Sequence, residues 1–130
     1  MAKPTDSGAA GARPRAPRNA HAAAIRAGRM LSGMSFSQKV WALTARVPRG
    51  KVTTYATLAR RLGTGACRAV GMALNRNPYA PWVPCHRVVG SDGSLVGFAG
   101  GLARKRAMLQ AEGVPFIGSK VDLAKGRSRR

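Results

Sequence analysis

Cys85 and His86 stand side by side in "VPCHRVVG", and a thiol next to an imidazole is a pair suited to nucleophilic chemistry. A cysteine of ordinary pKa, about 8.5, is only a few per cent thiolate at neutral pH, so a working nucleophile needs a base or a positive environment. His86 is the candidate base. Adjacency alone does not deliver it, because successive side chains of an extended strand point to opposite faces. Pro84, however, breaks regular pairing and allows a local bend that brings thiol and imidazole within reach, directly or through one water. Glu112 is, with Asp92, one of two acids between residues 35 and 118, and a carboxylate on the other imidazole nitrogen would fix the tautomer and stabilise the imidazolium. A zinc centre needs about four ligands, three of them from the protein even when open. The supply is Cys67, Cys85, His86 and His21 with no C-x-x-C spacing, so no metal is expected. The core reading, with Cys85 a small hydrophobe and His86 satisfied by a backbone carbonyl, is the default for a lone cysteine and applies to Cys67 as well. On local chemistry alone, nucleophile and core residue both stand.

The surrounding elements must decide how these groups are held. Ser35 is placed to cap a helix on which Phe36, Val40, Leu43 and Val47 share an apolar face, with Pro48 and Gly50 to stop it. "KVTT" reads as a short strand-like run, and Thr54 caps a second helix, "YATLARRL", that turns Ala56, Leu58, Ala59 and Leu62 inward and ends at Gly63. The turn Gly63-Thr64-Gly65 leads to a third helix, "ACRAVGMALNRN", which stops before Pro78. Helix, tight glycine turn and arginine-bearing helix form the outline of a helix-turn-helix. An irregular stretch, the short apolar run "HRVVG", a glycine-rich loop and a final helix, "LARKRAMLQAEG", complete the pattern. The expected fold class is mainly α: a compact helical domain with a helix-turn-helix of winged-helix-like type and one very short two-stranded sheet.

With 130 residues there is room for one domain. Residues 35–118 carry the pattern, residues 1–34 read as a basic flexible arm, and residues 119–130 read as a basic tail. Twenty-three Lys and Arg against Asp6, Asp92, Glu112 and Asp122 give a formal charge of +19, so the surface attracts polyanions, nucleic acid first and anionic membrane second. No run approaches the ~18 apolar residues of a membrane span and no signal-type leader is visible. The expectation is an intracellular, cytoplasmic protein with free thiols.

The string "NPYAPWVPCHRVVGSDGSLVGFAGGLARKRAMLQAEG", with "PRGKVTTYATLARRLG" and "CRAVGMALNRNP" upstream, closely resembles the active-site half of the O6-alkylguanine-DNA alkyltransferases. The resemblance runs from about residue 35 to Phe116 and covers neither tail. It implies DNA repair by direct, single-turnover transfer of an alkyl group from O6 of guanine to Cys85, without a cofactor. His86 and Glu112 would relay the thiol proton through water, Tyr55 would donate to guanine N3, and Asn77 would be the hinge that bonds the backbone near the cysteine. It implies a monomer bound in the minor groove of double-stranded DNA around a flipped O6-alkylguanine. Arg68 would fill the gap that base flipping leaves, with Thr54, Ala69, Gly71, Asn75, Arg76 and Ser91 on the DNA face and small residues Ala66 and Ala73 on the same helix. Val88, Phe98, Ala99 and Gly100 would line the guanine pocket, Phe98 standing where a tyrosine is common. The additional N-terminal domain usual in the family has no counterpart in the short arm. The alternative is an alkyltransferase-like protein, which binds O6-alkylguanine DNA and flags it for another repair pathway without transfer. Such relatives replace the motif cysteine, which Cys85 argues against.

Overall fold

The structure, a computed structural model, describes residues 18–80, 82–98 and 100–129. In chain order its elements are α1 (Arg18–Arg26), α2 (Phe36–Ala45), β1 (Thr53–Thr54), α3 (Tyr55–Arg61), α4 (Cys67–Asn75), a 3-10 turn (Cys85–Arg87), β2 (Val88–Val89), α5 (Leu102–Ala111), β3 (Phe116–Ile117), β4 (Lys120–Val121) and α6 (Leu123–Gly126). The fold is mainly α. Ser35 and Gln38 open α2 with a reciprocal cap: Ser35 Oγ accepts from the Gln38 amide at 3.2 Å and Gln38 Oε1 from the Ser35 amide at 2.8 Å. Such a cap contributes about 1 kcal/mol. Thr54 starts α3 in the same manner, its hydroxyl accepting from the Thr57 amide at 3.1 Å.

Three apolar clusters hold the elements together. Val40 and Leu43 of α2, Leu58 and Ala59 of α3, and Val70, Ala73 and Leu74 of α4 enclose Val88 of β2. The helix-turn-helix pair α3–α4 is thus fixed against α2, with Ala56 and Leu62 only partly covered. Phe36, expected on the buried face of α2, is 38% exposed, because the first residue of the helix lies beyond the turn that packs.

β1 and β2 pair in parallel, Thr53 with Val88 and Thr54 with Val89. Parallel neighbours need a long crossover, here α3, α4 and the 3-10 turn. The pairing sets the turn that bears Cys85, immediately before Val88, beside the start of α3 at Tyr55.

Both expected tails contain docked structure. Ala24 and Ile25 of α1 are fully buried with Met34, Ala42 and Val83, so the stretch read as an arm includes a packed helix; two apolar residues suffice where the receiving surface is already formed. Residues 1–17 lie outside the described residues. In the stretch read as a tail, Val121 joins Val52, Val89, Leu109 and Val114 in the third cluster, and Val52 bridges Arg127. The antiparallel pair β3–β4, Phe116 with Val121 and Ile117 with Lys120, is therefore a second small sheet where one was expected. No described helix is long and apolar enough to cross a membrane.

Gly93 is where this C-terminal unit seats. Its φ is +88°, its carbonyl accepts from the Val121 amide at 2.9 Å, and a Cβ there would collide with the Val121 carbonyl. Gly93→Ala is expected to destabilise the protein by about 2–3 kcal/mol, read as a fall of roughly 10 °C in the thermal midpoint. An unchanged midpoint would show that the C-terminal unit is not seated on this loop.

Candidate active site

Pro84 and the 3-10 turn decide where the thiol and the imidazole go. The Cys85 amide donates to Val83 O at 2.9 Å and the Arg87 amide to Pro84 O at 2.9 Å. At three residues per turn, neighbouring side chains diverge by about 120° rather than pointing to opposite faces. Cys85 is left half-buried at the surface while His86 turns inward and is almost fully buried. No direct hydrogen bond joins Cys85 to His86 among the described residues.

Behind His86 the charges are tightly arranged. His86 Nε2 lies 2.9 Å from Glu112 Oε2. Arg87 grips the same carboxylate, Nε to Oε1 at 2.9 Å and Nη2 to Oε2 at 2.9 Å, and its Nη1 donates to Val47 O at 2.8 Å. Burial pushes the Glu112 carboxyl up, but the hydrogen bonds and charges of Arg87 and His86 outweigh it and hold the group at about 2. An ionised carboxylate only accepts, so His86 carries its proton on Nε2 and keeps Nδ1 as a free acceptor. Burial lowers the imidazole below its ordinary value; the Glu112 hydrogen bond and charge oppose this, and the charges of Arg87 and Lys105 add to it. His86 is accordingly a neutral base at pH 7.

Tyr55 packs against the same apolar cluster as Cys85, and a buried amine stands beside it. Lys105 of α5 has no exposed surface; its Nζ donates to Val96 O at 2.8 Å and lies 3.4 Å from the Tyr55 hydroxyl. The Tyr55 hydroxyl also donates to Val96 O, at 3.1 Å. Burial lowers Lys105 to about 8, against the pull of a thiolate at Cys85. Burial, then the same thiolate charge, push Tyr55 up to about 12. Both groups are thus within electrostatic reach of the sulfur.

Asn77 links the end of α4 to this segment: Nδ2 donates to Val83 O at 2.9 Å and Oδ1 accepts from the Tyr79 amide at 2.8 Å. An open cavity of about 390 Å³ lies over Tyr55, lined by Cys67, Arg68, Gly71, Met72, Asn75, Val96 and Gly97 as well.

The structure gathers Cys85, His86, Glu112 and Tyr55, and it sets Arg68, Gly71 and Asn75 around the cavity. Arg76 and Ser91 are exposed and Ala69 half-buried, away from its lining. Phe98 is half-buried with its ring centroid 6.0 Å from Lys105 Nζ, Gly100 is exposed, and Ala99 lies outside the described residues. Four expectations are corrected. Thr54 is fully buried, its hydroxyl engaged by Thr57, and offers nothing to a DNA surface. The Val88 side chain faces the main core rather than a pocket. Cys67, taken as a core cysteine, is exposed in the first turn of α4; Ala73, taken as groove-facing, is buried there instead. Arg87 and Lys105 escaped the sequence reading, although Lys105, Leu109 and Glu112 share one face of α5 and its cap, and a lysine on an apolar stripe is a visible signal. Among the described residues no group of three His, Cys, Asp or Glu is placed to hold a metal ion.

Residues 35–114 match the family described as "6-O-methylguanine DNA methyltransferase, DNA binding domain". The chain belongs to this family. Methylated-DNA–protein-cysteine methyltransferase of Mycobacterium leprae is 47% identical over 83 residues, covering 63% of this chain and 50% of that protein. Its Haemophilus influenzae namesake is 41% identical over 96 residues, 73% of this chain and 54% of the other. The chain thus spans about half the length of these 6-O-methylguanine DNA methyltransferase relatives. Among solved structures, Mycobacterium tuberculosis OGT in complex with DNA matches with a TM-score of 0.59 and 40% identity, over 73% of this chain and 65% of that one. S. pombe Atl1 in complex with damaged DNA containing O6-carboxymethylguanine matches with a TM-score of 0.64 and 31% identity, over 73% and 95%.

Proposed function

We propose that this chain repairs DNA by direct, single-turnover transfer of an alkyl group, methyl in the simplest case, from O6 of guanine to Cys85, acting as a monomer and without a cofactor. The observation that carries the reading is the 2.9 Å Glu112–His86 bond, which leaves Nδ1 as the acceptor nitrogen on the residue that follows the half-exposed Cys85. The thiol proton passes to Nδ1, directly or through one water, and the imidazolium is stabilised by ionised Glu112. The sulfur attacks the alkyl carbon; the S–C bond forms as the C–O6 bond breaks, and the electron pair leaves on guanine. A proton delivered toward N3 completes the departure. Tyr55 at about 12 is a poor acid by itself, whereas Lys105 at about 8 stands behind it and replaces the proton it gives. The product is a thioether on Cys85, and no group in the site regenerates the thiol.

In this reading α4 enters the minor groove of double-stranded DNA. Arg68 occupies the gap left by the flipped guanine, Ala69 and Gly71 allow close approach, Asn75, Arg76 and Ser91 contact the backbone, and Phe98, Ala99 and Gly100 wall the base. The formal charge of +19 supplies the attraction. The Atl1 likeness motivates the second reading, binding of O6-alkylguanine without transfer, and Cys85 favours the first. Counting restored guanine against protein in a duplex containing O6-methylguanine separates them: one equivalent and no more supports transfer, and binding with none restored supports the second reading.

The pH dependence follows from the two groups that must hold opposite protonation states. His86 must be neutral, and its pKa is lowered from 6.5, so the acid limb of the transfer rate lies below that value. Lys105 must be protonated, so the rate falls again near pH 8. Single-turnover rates from about pH 5 to about pH 9 are expected to trace this bell; a rate that keeps climbing through pH 9 would contradict the role of Lys105.

A further inference from the structure

Helix α1 lies before residue 35, outside the part of the chain that matches the family. Its buried face meets one residue that matters to the site. Val83 O accepts from the Cys85 amide at 2.9 Å and from Asn77 Nδ2 at 2.9 Å, and the Val83 amide donates to Tyr79 O at 3.0 Å. The backbone of Val83 therefore sets where Cys85 begins its turn. Its side chain has no exposed surface, and the cluster that encloses it is Ala24 and Ile25 from α1, Met34, and Ala42 from α2. The next contact runs over the top: the Arg26 guanidinium carbon lies 4.6 Å from the ring centroid of Trp82, a residue otherwise 60% exposed. The end of α1 is itself tied down, Arg46 Nε donating to Gly28 O at 2.7 Å.

We propose that α1 is a brace for the acceptor cysteine, with Ile25 and Arg26 as positioning residues that act through Val83 and Trp82. The inference rests on the reading of Cys85 as alkyl acceptor. Displacement is in-line and sensitive to distance: a misplacement of about 1 Å costs on the order of 100-fold in rate. Ile25 and Val83 share one fully buried cluster, and an alanine at position 25 lets Val83 relax toward the void. Arg26 restrains Trp82, the neighbour of Val83, from the solvent side through a cation–π contact.

The test uses the full chain with Ile25→Ala and Arg26→Ala, and with Ile25→Leu and Arg26→Lys as conservative partners. Three quantities are read below the thermal midpoint of each variant: the transfer rate constant at saturating O6-methylguanine duplex, the Kd for that duplex, and the pH dependence of iodoacetamide alkylation on the Cys85 peptide. Ile25→Ala is expected to lower the rate constant about 10-fold with Kd within about twofold, and to move the alkylation midpoint. Arg26→Ala gives about a threefold loss, and the Leu and Lys variants recover most of each. A folded Ile25→Ala protein with the wild-type rate constant and alkylation profile overturns the brace. Should that variant fail to fold, Arg26→Ala, on an exposed side chain, decides by the same readings, and an unchanged rate constant and profile overturn it. If the wild-type protein binds the duplex without transfer, it is the repair reading that fails, and the alkylation profiles still decide on α1.

Discussion

Glu112→Gln is expected to slow alkyl transfer by about 100-fold to 10,000-fold and to lower stability by about 3–5 kcal/mol. Both effects have one origin. The carboxylate receives two bonds from Arg87 and one from His86, and the Glu112 and Arg87 side chains are only 9% and 15% exposed. A neutral amide leaves the guanidinium with no compensating charge in a largely buried place. In the proposed transfer, the imidazolium that would form as Cys85 gives up its proton loses its counter-ion at the same time. Because Glu112 raises the His86 pKa against the effect of burial, its removal moves the acid limb of the rate to lower pH. On the stability side, the depressed Glu112 pKa contributes stability that is present above the ordinary carboxyl value of 4.5 and is lost as pH falls toward about 2. Acid unfolding of the Gln variant is expected to be correspondingly flatter over that window. A variant with wild-type rate and midpoint would remove Glu112 from the account.

Lys105→Met separates function from stability. The ammonium is fully buried, and desolvation already lowers its pKa to about 8, so a methionine of similar length relieves a cost while giving up the hydrogen bond to Val96 O. The two terms nearly offset, and the thermal midpoint is expected to change by only a few degrees in either direction. The transfer rate is expected to fall by about 100-fold to 1,000-fold, because the ammonium that bonds the Tyr55 hydroxyl at 3.4 Å is gone. The alkaline limb near pH 8 disappears with it. Equal losses of rate and stability would make Lys105 a structural residue. Differential scanning calorimetry and single-turnover kinetics on one preparation give both numbers.

What the sequence made legible depended on scarcity and on capping rules. Glu112 stood out because so few acids share the folded region, and the His86 bond follows from that. Ser35 and Thr54 announced their helices, and both caps are present at the expected places. Cys85 could not be weighed by local rules, since the direction of neighbouring side chains depends on whether the backbone is extended or coiled, and the 3-10 turn after Pro84 settles that only in three dimensions. Thr54 and Val88 were given surface roles by analogy, yet each is a buried member of the β1–β2 pair, and burial there comes from partners far along the chain. α1 and the β4–α6 segment were overlooked for a related reason. Their composition is basic and alanine- or glycine-rich, and it is the docking of Ala24, Ile25, Val121 and Gly126 that shows these stretches to belong to the core. Lys105 shares a face of α5 with Leu109, a signal outweighed by the ordinary expectation that a lysine faces water.

The central claim is that Cys85 is the acceptor of the alkyl group. Its most direct test is the mass of the Cys85 peptide after incubation of the protein with a duplex containing O6-methylguanine. The account predicts a gain of one methyl in place of one hydrogen on that peptide, complete after one equivalent and absent from the Cys67 peptide. Tight binding with no mass change at Cys85, or guanine still restored by a Cys85→Ala protein, would contradict it.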